Sequence, residues 1–335
     1  MFKVGVVLNR NMADSLFTKE TLEFLSSFAT FNPIEDLPEK VTEEFMLETL
    51  RDADAALSCW GTPAFTDSML NQLPKLRLIA HAAGSIKSLV PVSFWQSGKR
   101  ITSNAPIIAD DVAQTTLALM LTSLKQLWTF SRLTHEGHWS EVQTARMTLR
   151  RLDGLNVGLV GASMVAKSLI SYLKPFHCNI YVADPYLSPL EADMLEVEKM
   201  NLDQMIPICD ILSLHAPANA DCYHMLNKEN IKCLKDNCLL INTARGMLID
   251  EKALIEELQS GRIFACLDVT DPEPPAYDSP LRNLPNVVLT PHRAGGHTAN
   301  GRILMGNNII NEIYNFLIKG QLKYDIRNEA LSHMA

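Results

Sequence analysis

The 335-residue sequence predicts an α/β protein with two doubly wound parallel sheets. Its length exceeds that of one ordinary domain. A composition of 47% hydrophobic and 20% charged residues is typical of a globular chain with a large core. Short apolar runs alternate with amphipathic stretches in two separate series, and a long apolar segment with helical spacing lies between them. The two series predict two sheets, each covered by helices.

The first series of predicted strands and helices extends from Lys3 to Ala82. Its segments are residues 4–8, 18–28, 42–50, 55–59, 67–73 and 76–82. Because segments with strand periodicity alternate with segments with helix periodicity, a parallel sheet covered by helices is expected. Pro106 then opens a predicted helix over 107–130, which is long enough to bridge two lobes.

The second series of predicted strands is typical of a nucleotide-binding sheet. Its strands are residues 155–160, 180–183, 211–214, 238–242, 265–269 and 287–290. A last helix over 301–319 is expected to return the chain to the first lobe, which makes that lobe discontinuous. The predicted domains are therefore 1–104 with 298–335, and 105–297.

Composition excludes several classes of function. A formal net charge of -8 gives no basic footprint for nucleic acid, so an anionic substrate needs a local cation. The apolar run near the N-terminus, about five residues long, is too short for a signal peptide, and no stretch approaches the ~20 apolar residues of a membrane span. We expect a cytoplasmic protein. The seven cysteines form no CxxC pair, and His135 and His138 lack partners for a zinc set, so no metal site is expected.

A degraded GxGxxG motif over 157–166 follows a predicted strand and opens a predicted helix. Gly161 supplies the tight turn and Ala166 is small enough for helix packing, while Ser163 stands where a second glycine is usual. The predicted cofactor contacts in this loop are Gly161, Ala162, Ser163, Met164 and Val165.

A carboxylate follows Gly161 by 23 residues, where Asp184 and Pro185 end the next predicted strand. A carboxylate at this position accepts from the ribose hydroxyls and repels a 2′-phosphate, so NAD is favoured over NADP. The alternative is that Asp184-Pro185 is only a turn after a strand.

Three further predicted strand ends and the loops after them carry polar residues, where ligands of open parallel sheets bind. The three strand ends are His215-Ala216-Pro217, Asn242-Thr243-Ala244-Arg245-Gly246 and Leu267-Asp268-Val269. Two further segments come next, Asp271-Pro272-Glu273-Pro274 and Thr290-Pro291-His292-Arg293-Ala294-Gly295.

The order Arg245, Glu273, His292 in these surroundings resembles the D-isomer-specific 2-hydroxyacid dehydrogenase family, with motif detail from about Asn104 to Gly295. The resemblance implies an NAD-dependent oxidoreductase that acts on the CH-OH group of a D-2-hydroxy acid. It also implies a Rossmann NAD-binding domain, a discontinuous flavodoxin-like substrate domain and a homodimer.

The chemistry explains why these three residue types belong together. Arg245 can bind a carboxylate and polarise a carbonyl through its planar guanidinium. His292 can give a proton to the developing alkoxide, and in the reverse direction take it back. Glu273 would orient the imidazole and stabilise its protonated form. Each of them alone also has a purely structural explanation. Arg245 could be a surface ion-pair partner, Glu273 a solvated loop residue and His292 a cap or a space-filling residue.

The resemblance assigns further contacts residue by residue. Asp268 would bond the nicotinamide carboxamide, and the backbone of Thr243, Ala244 and Arg245 would line the ring. The segment His215, Ala216 and Pro217 would flank the ribose and adenine side. In the first lobe, backbone amides of Ala83, Gly84 and Ser85 would hold the substrate carboxylate as an anion nest, unless Gly84 merely ends a strand.

The sequence departs from the family pattern at a few positions. Ile86-Lys87 follow Ser85 where an acidic residue is usual, and Gln114 stands where a glutamate is common. Glu273 favours the hydroxyacid branch over the formate branch, which has glutamine there. Trp60, after a first-lobe strand, is expected to be packing or a substrate contact.

Two alternatives stay open. The chain could be an NAD(H)-sensing binding or regulatory protein of the same fold, as the family's corepressor members are. It could also act on a phosphorylated acid, which the few spare first-lobe cations disfavour.

Overall fold

We describe residues 1–140 and 149–333 from a computed structural model of the protein. The chain forms two compact units. Among the described residues, the first unit contains Met1–Asp111 and 295–333, and the second contains 112–140 and 149–294. Each unit has its own parallel sheet, which confirms the predicted α/β class with two doubly wound domains.

The first unit contains a five-stranded sheet in the order β2-β1-β3-β4-β5, with every pairing parallel. This is the order of flavodoxin-like sheets, as expected. The strands are β1 (Phe2–Val7), β2 (Ala29–Phe31), β3 (Ala55–Ser58), β4 (Leu78–His81) and β5 (Arg100–Ser103). The helices that start in this unit are Arg10–Leu16, Lys19–Phe28, Glu43–Leu50, Asp67–Gln72, Ala105–Leu124 and Ala299–Lys319. The sequence pattern missed β2 and β5, which lie at the two edges of the sheet.

The last helix packs against the first unit, so the predicted discontinuity of this lobe is confirmed. Within Ala299–Lys319, Ile309, Ile310 and Ile313 are fully buried in the same core as Val4 and Leu57. A β-carbon at Gly306 would lie 1.9 Å from the carbonyl oxygen of Leu16, so only glycine permits this backbone approach.

The second unit contains a seven-stranded parallel sheet in the order β12-β11-β10-β9-β6-β7-β8. Counted within the unit, the first six strands have the order 3-2-1-4-5-6 of dinucleotide-binding sheets. The strands are β6 (Asn156–Val160), β7 (Asn179–Ala183), β8 (Glu198–Lys199), β9 (Ile211–Leu214), β10 (Leu239–Asn242), β11 (Phe264–Leu267) and β12 (Val287–Leu289). The helices are Leu127–His135, Met164–Leu173, Pro189–Leu195, Leu202–Met205, Lys228–Ile231 and Glu251–Gln259.

The prediction of a single helix over 107–130 is wrong, because the chain forms two helices there, Ala105–Leu124 and Leu127–His135. Gln126 between them has a left-handed backbone with φ 53°. The carbonyl of Leu124 accepts from the amide of Arg150 at 3.0 Å, so a distant segment replaces the next helical turn. Apolar side chains continue on both sides of the break, and periodicity alone therefore could not reveal it.

The sequence analysis also expected no stretch that approaches the length of a membrane span, and this expectation is corrected here. Among the described residues, the helix Ala105–Leu124 is long and apolar enough to cross a membrane, by length and composition alone. Core helices of globular proteins pass the same test. Ala113, Leu119 and Met120 of this helix are buried in the core of the second unit.

All seven cysteines are free, and four of them are buried. Over residues 1–140 and 149–333, no group of three or more His, Cys, Asp or Glu side chains is arranged to hold a metal ion.

Candidate active site

The predicted site residues of the second unit follow the carboxyl ends of its strands. Gly161 follows β6, Asp184 follows β7, His215 follows β9, Thr243 follows β10 and Asp268 follows β11. Because all pairings are parallel, these ends meet at one edge of the sheet, where open α/β sheets bind ligands. The predicted residues therefore share an edge that suits a dinucleotide.

His292 and Glu273 are paired. Nδ1 of His292 lies 2.7 Å from Oε1 of Glu273, and Nδ1 is the donor because an ionised carboxylate has no proton to give. Both side chains are partly open to solvent, with 48% and 42% of their surface exposed. His292 has a left-handed backbone with φ 53°, which is uncommon for a residue with a side chain. This arrangement leaves Nε2 of the imidazole for another partner.

Arg245 is half-buried at the end of β10. Partial burial lowers the pKa of its guanidinium, and the nearby Glu273 carboxylate acts in the opposite direction. Nη1 donates to the carbonyl of Ala244 at 2.6 Å. Since a guanidinium stays protonated in proteins, Arg245 supplies a permanent positive charge beside the His292–Glu273 pair.

The turn that carries Arg245 is shaped by Asn242 and Gly246, to which the sequence analysis assigned no role. The buried Asn242 side chain accepts from the amide of Ala244 at 3.1 Å and donates to the carbonyl of Arg245 at 2.9 Å. A β-carbon at Gly246 would lie 2.1 Å from the carbonyl oxygen of Thr270, so glycine is required there. The available signal was an asparagine directly after a strand, which is typical of an Asx turn.

Asp268 is almost completely buried, with 2% of its surface exposed, and its carboxylate holds the loop of His292. It accepts from the amides of Arg293 and Ala294 at 3.0 and 2.9 Å, and from the hydroxyl of Thr290. Its own carbonyl accepts from the amide of His292 at 2.8 Å. Since a carboxylate has about four acceptor positions and three are taken, one remains for the nicotinamide carboxamide predicted from the resemblance.

The glycine loop has the geometry of a phosphate-binding turn. Gly161 has φ 97°, and a β-carbon there would lie 2.9 Å from the backbone of His215 and Ala216. Ser163 has an ordinary φ of -65° and caps the helix Met164–Leu173 by accepting from the amide of Ala166. A serine is therefore compatible with this turn, and the first amides of the helix face the same edge of the sheet.

Asp184 holds the glycine loop from the neighbouring strand. Its carboxylate accepts from the amides of Ala162 and Tyr186, each at 2.7 Å. Two acceptor positions remain for ribose hydroxyls, so the residues of this edge fit an NAD molecule. Pro185 follows directly, and the predicted contacts Met164 and Val165 lie in the first turn of the helix.

His215 is buried at the end of β9. Burial lowers its pKa to about 3, and Nε2 lies 3.0 Å from the hydroxyl of Ser213. The buried imidazole is thus neutral, and its Nε2 is engaged by a side chain of β9. Contact of this segment with a cofactor would come from its backbone and from Ala216 and Pro217.

The predicted substrate loop lies in the first unit, after β4. Ala83 is buried, Gly84 is intermediate and Ser85 is exposed. The carbonyl of Ala83 accepts from the amide of Asn104 at 2.9 Å, so the loop is fastened at its start. Gly84 has no positive φ, and a β-carbon there would meet Ile108 at an ordinary 3.5 Å.

Trp60, also in the first unit, stacks on His297 with ring centroids 5.9 Å apart. A β-carbon at Gly296 would lie 2.6 Å from the indole. The indole is therefore packed by its own unit, as the packing alternative expected.

A depression of about 390 Å³ in the second unit is lined by His292, Glu273, Asp268 and neighbouring residues. Another cavity, of about 480 Å³, includes Leu239, Phe264 and Val287 at the amino ends of β10, β11 and β12. It contains none of the predicted site residues. The smaller depression contains the His292–Glu273 pair, while Arg245 does not line it and is connected to it through its interaction with Glu273.

Comparisons with known proteins agree with this architecture. The family described as D-isomer specific 2-hydroxyacid dehydrogenase, NAD binding domain, matches residues 117–294. A D-3-phosphoglycerate dehydrogenase from Methanocaldococcus jannaschii is 31% identical over 291 residues, which are 86% of this chain and 54% of that protein. A glyoxylate reductase from Korarchaeum cryptofilum is 28% identical over 274 residues, which are 80% of this chain and 82% of that protein.

Among solved structures, a phosphoglycerate oxidoreductase from Rhizobium etli has a TM-score of 0.81 at 21% identity, with 98% of this chain and 99% of that chain covered. At that identity the likeness establishes the fold. The family match spans more than half of the chain and includes the residues that carry the motifs. The chain therefore belongs to the NAD-dependent D-isomer-specific 2-hydroxyacid dehydrogenase family.

Proposed function

We propose that the chain reduces a small 2-oxo acid to the D-2-hydroxy acid with NADH, and catalyses the reverse oxidation with NAD. The observation that carries this proposal is the 2.7 Å contact between His292 and Glu273, with Arg245 near the same carboxylate. An acid/base group, an orienting carboxylate and a fixed cation are the parts that reduction of a 2-oxo acid needs. The bound dinucleotide supplies or accepts the hydride.

In this proposal Arg245 binds the substrate carboxylate and polarises the 2-oxo group through its guanidinium. His292 gives the proton on Nε2 to the carbonyl oxygen as the hydride reaches the α-carbon. The product is a 2-hydroxy acid, and His292 regains a proton from solvent through its partly exposed ring. Glu273 keeps Nδ1 protonated, which fixes the tautomer and directs Nε2 to the substrate.

The cofactor contacts are proposed for the loop Gly161–Val165, for Asp184 and Pro185, and for the segment His215–Pro217. Further contacts are proposed for the backbone of Thr243, Ala244 and Arg245, and for Asp268 and His292. Substrate contacts are proposed for Ala83, Gly84 and Ser85. We propose the substrate domain as residues 1–104 with 298–335 and the NAD-binding domain as 105–297. A cytoplasmic homodimer is the form that the family resemblance favours.

Related proteins named glyoxylate reductase and hydroxypyruvate reductase suggest short 2-oxo acids as the first substrates to test. The test is a screen of NADH oxidation, followed at the NADH absorbance band, with a panel of 2-oxo acids and analysis of product chirality. Turnover with formation of the D-hydroxy acid supports the proposal. Binding of NADH without turnover on any panel member would instead support an NAD(H)-sensing protein.

A further inference from the structure

Two adjacent threonines of the helix Ala105–Leu124 reach different loops of the candidate site. The hydroxyl of Thr115 donates to the carbonyl of Ala294 at 2.8 Å. The hydroxyl of Thr116 lies 3.1 Å from the hydroxyl of Thr243. Consecutive helical residues point about 100° apart, so neighbouring side chains can serve two separate loops.

The contact between Thr116 and Thr243 has a defined direction. Thr116 gives its single hydroxyl proton to the carbonyl of Val112 at 2.8 Å, so it must accept the proton of Thr243. Thr116 is fully buried, and Thr243 has 8% of its surface exposed. The turn that carries Arg245 therefore begins at a side chain that is fastened to the helix.

Thr115 differs from the usual helical threonine, whose hydroxyl bonds to the preceding turn. Its hydroxyl leaves the helix and fixes the carbonyl of Ala294, while Asp268 holds the amide of the same residue at 2.9 Å. Both backbone polar groups of Ala294 are thus occupied two residues after His292. This fastening supports a loop whose histidine has an unfavourable left-handed backbone.

We infer that Thr115 and Thr116 are positioning residues that set the Arg245 turn and the His292 loop at a fixed separation from each other. The inference rests on the proposed function, in which guanidinium and imidazole act on one carbonyl group. A misplacement of about 1 Å between reacting groups can cost about 100-fold in rate. The two hydroxyls touch neither reacting group. They would therefore affect the rate of the chemical step through the positions of Arg245 and His292.

The test compares Thr115→Val and Thr116→Val, which keep the shape but lose the hydroxyl, with Thr115→Ser and Thr116→Ser, which keep the hydroxyl. Thr122→Val is the matched control, because among the described residues the hydroxyl of Thr122 bonds within its own helix, to Ala118 at 2.7 Å and to Leu119. We expect kcat of both valine variants to fall about 10- to 100-fold. The serine variants and Thr122→Val should remain near wild type.

Two readouts separate positioning from a merely structural role. With NADH deuterated at the transferred hydrogen, the isotope effect on kcat should rise in the valine variants, because the chemical step becomes slower. KM for the 2-oxo acid should change much less than kcat. A lower melting temperature with unchanged kcat and unchanged isotope effect would show a structural role and overturn the inference.

Amide hydrogen exchange tests the inference without turnover. Exchange at Arg293 and Ala294 should accelerate in Thr115→Val, and exchange at Ala244 and Arg245 should accelerate in Thr116→Val, but neither should change in Thr122→Val. Unchanged exchange overturns the inference even if the wild type is an active reductase. If the valine variants exchange faster but the wild type turns over no 2-oxo acid, the result supports the positioning role of the two hydroxyls and rejects the proposed function.

Discussion

The imidazole of His292 and the carboxylate of Glu273 are 2.7 Å apart although both side chains are nearly half exposed. Exposed ion pairs contribute only about 0–1 kcal/mol to folding, because solvent screens them. Stability therefore gives little reason for this contact. Its position beside Arg245, at the ligand-binding edge of the sheet, connects it with catalysis instead.

The first prediction separates these two roles. Glu273→Gln should leave the melting temperature within a few degrees of wild type and lower kcat/KM about 10- to 1000-fold, because a neutral amide no longer stabilises the imidazolium. Glu198→Gln, at an exposed glutamate of the edge strand β8, is the matched control and should change neither quantity. A variant with normal kcat/KM would reject the assigned role of Glu273.

The second prediction concerns the choice of cofactor. Asp184→Asn removes a charge but keeps an acceptor for the amide of Ala162. Removing a like charge near a 2′-phosphate is worth about 1–2 kcal/mol, so the ratio of Kd for NADPH to Kd for NADH should fall about tenfold. Fluorescence titration with both cofactors measures this ratio. Asp193→Asn, at an exposed aspartate in the next helix, is the control, and an equal change in both variants would contradict the assignment.

The third prediction is an acid sensitivity of the first unit. Burial lowers the pKa of His81 to about 4, and its Nδ1 lies 3.0 Å from the hydroxyl of Ser58. The unfolded chain binds a proton at the ordinary value of about 6.5, so it gains protons relative to the folded chain between these two pH values. Stability should therefore be complete above about pH 6.5 and decline as the pH falls toward 4.

Scanning calorimetry at about pH 7 and about pH 5 measures this decline. His81→Asn should show a smaller loss of melting temperature between the two pH values than the wild type. His135→Asn, at an exposed histidine, should lose as much as the wild type. If His81→Asn declines as steeply as His135→Asn, burial of His81 is not the cause.

The sequence predicts most of this fold because its strands are buried on both faces and therefore stand out as apolar runs. Strand β9 was found at its predicted residues 211–214, and the other strands of that series, except β8, begin or end within two residues of the prediction. The short edge strand β2 was missed, since three residues with one buried position give no pattern. The break at Gln126 was missed because a distant amide, that of Arg150, stabilises it.

The candidate site, like the fold, was predictable from the sequence only in part. The residue types Arg245, Glu273 and His292 follow from motifs that are local in sequence. The clamp of Asp268 on residues 290–294 and the bond from Thr115 to Ala294 depend on which loops meet in space. Hydrogen-bond partners separated by 25 or 179 positions leave no spacing signal in one sequence.

The catalytic roles of Arg245 and His292 are tested by NADH oxidation with a 2-oxo acid that the wild type turns over, compared among the wild type, Arg245→Lys and His292→Asn. We expect both variants to remain folded, as judged by circular dichroism, and to lose about 100- to 10 000-fold in kcat/KM. Folded variants that turn over the 2-oxo acid at the wild-type rate would contradict these roles.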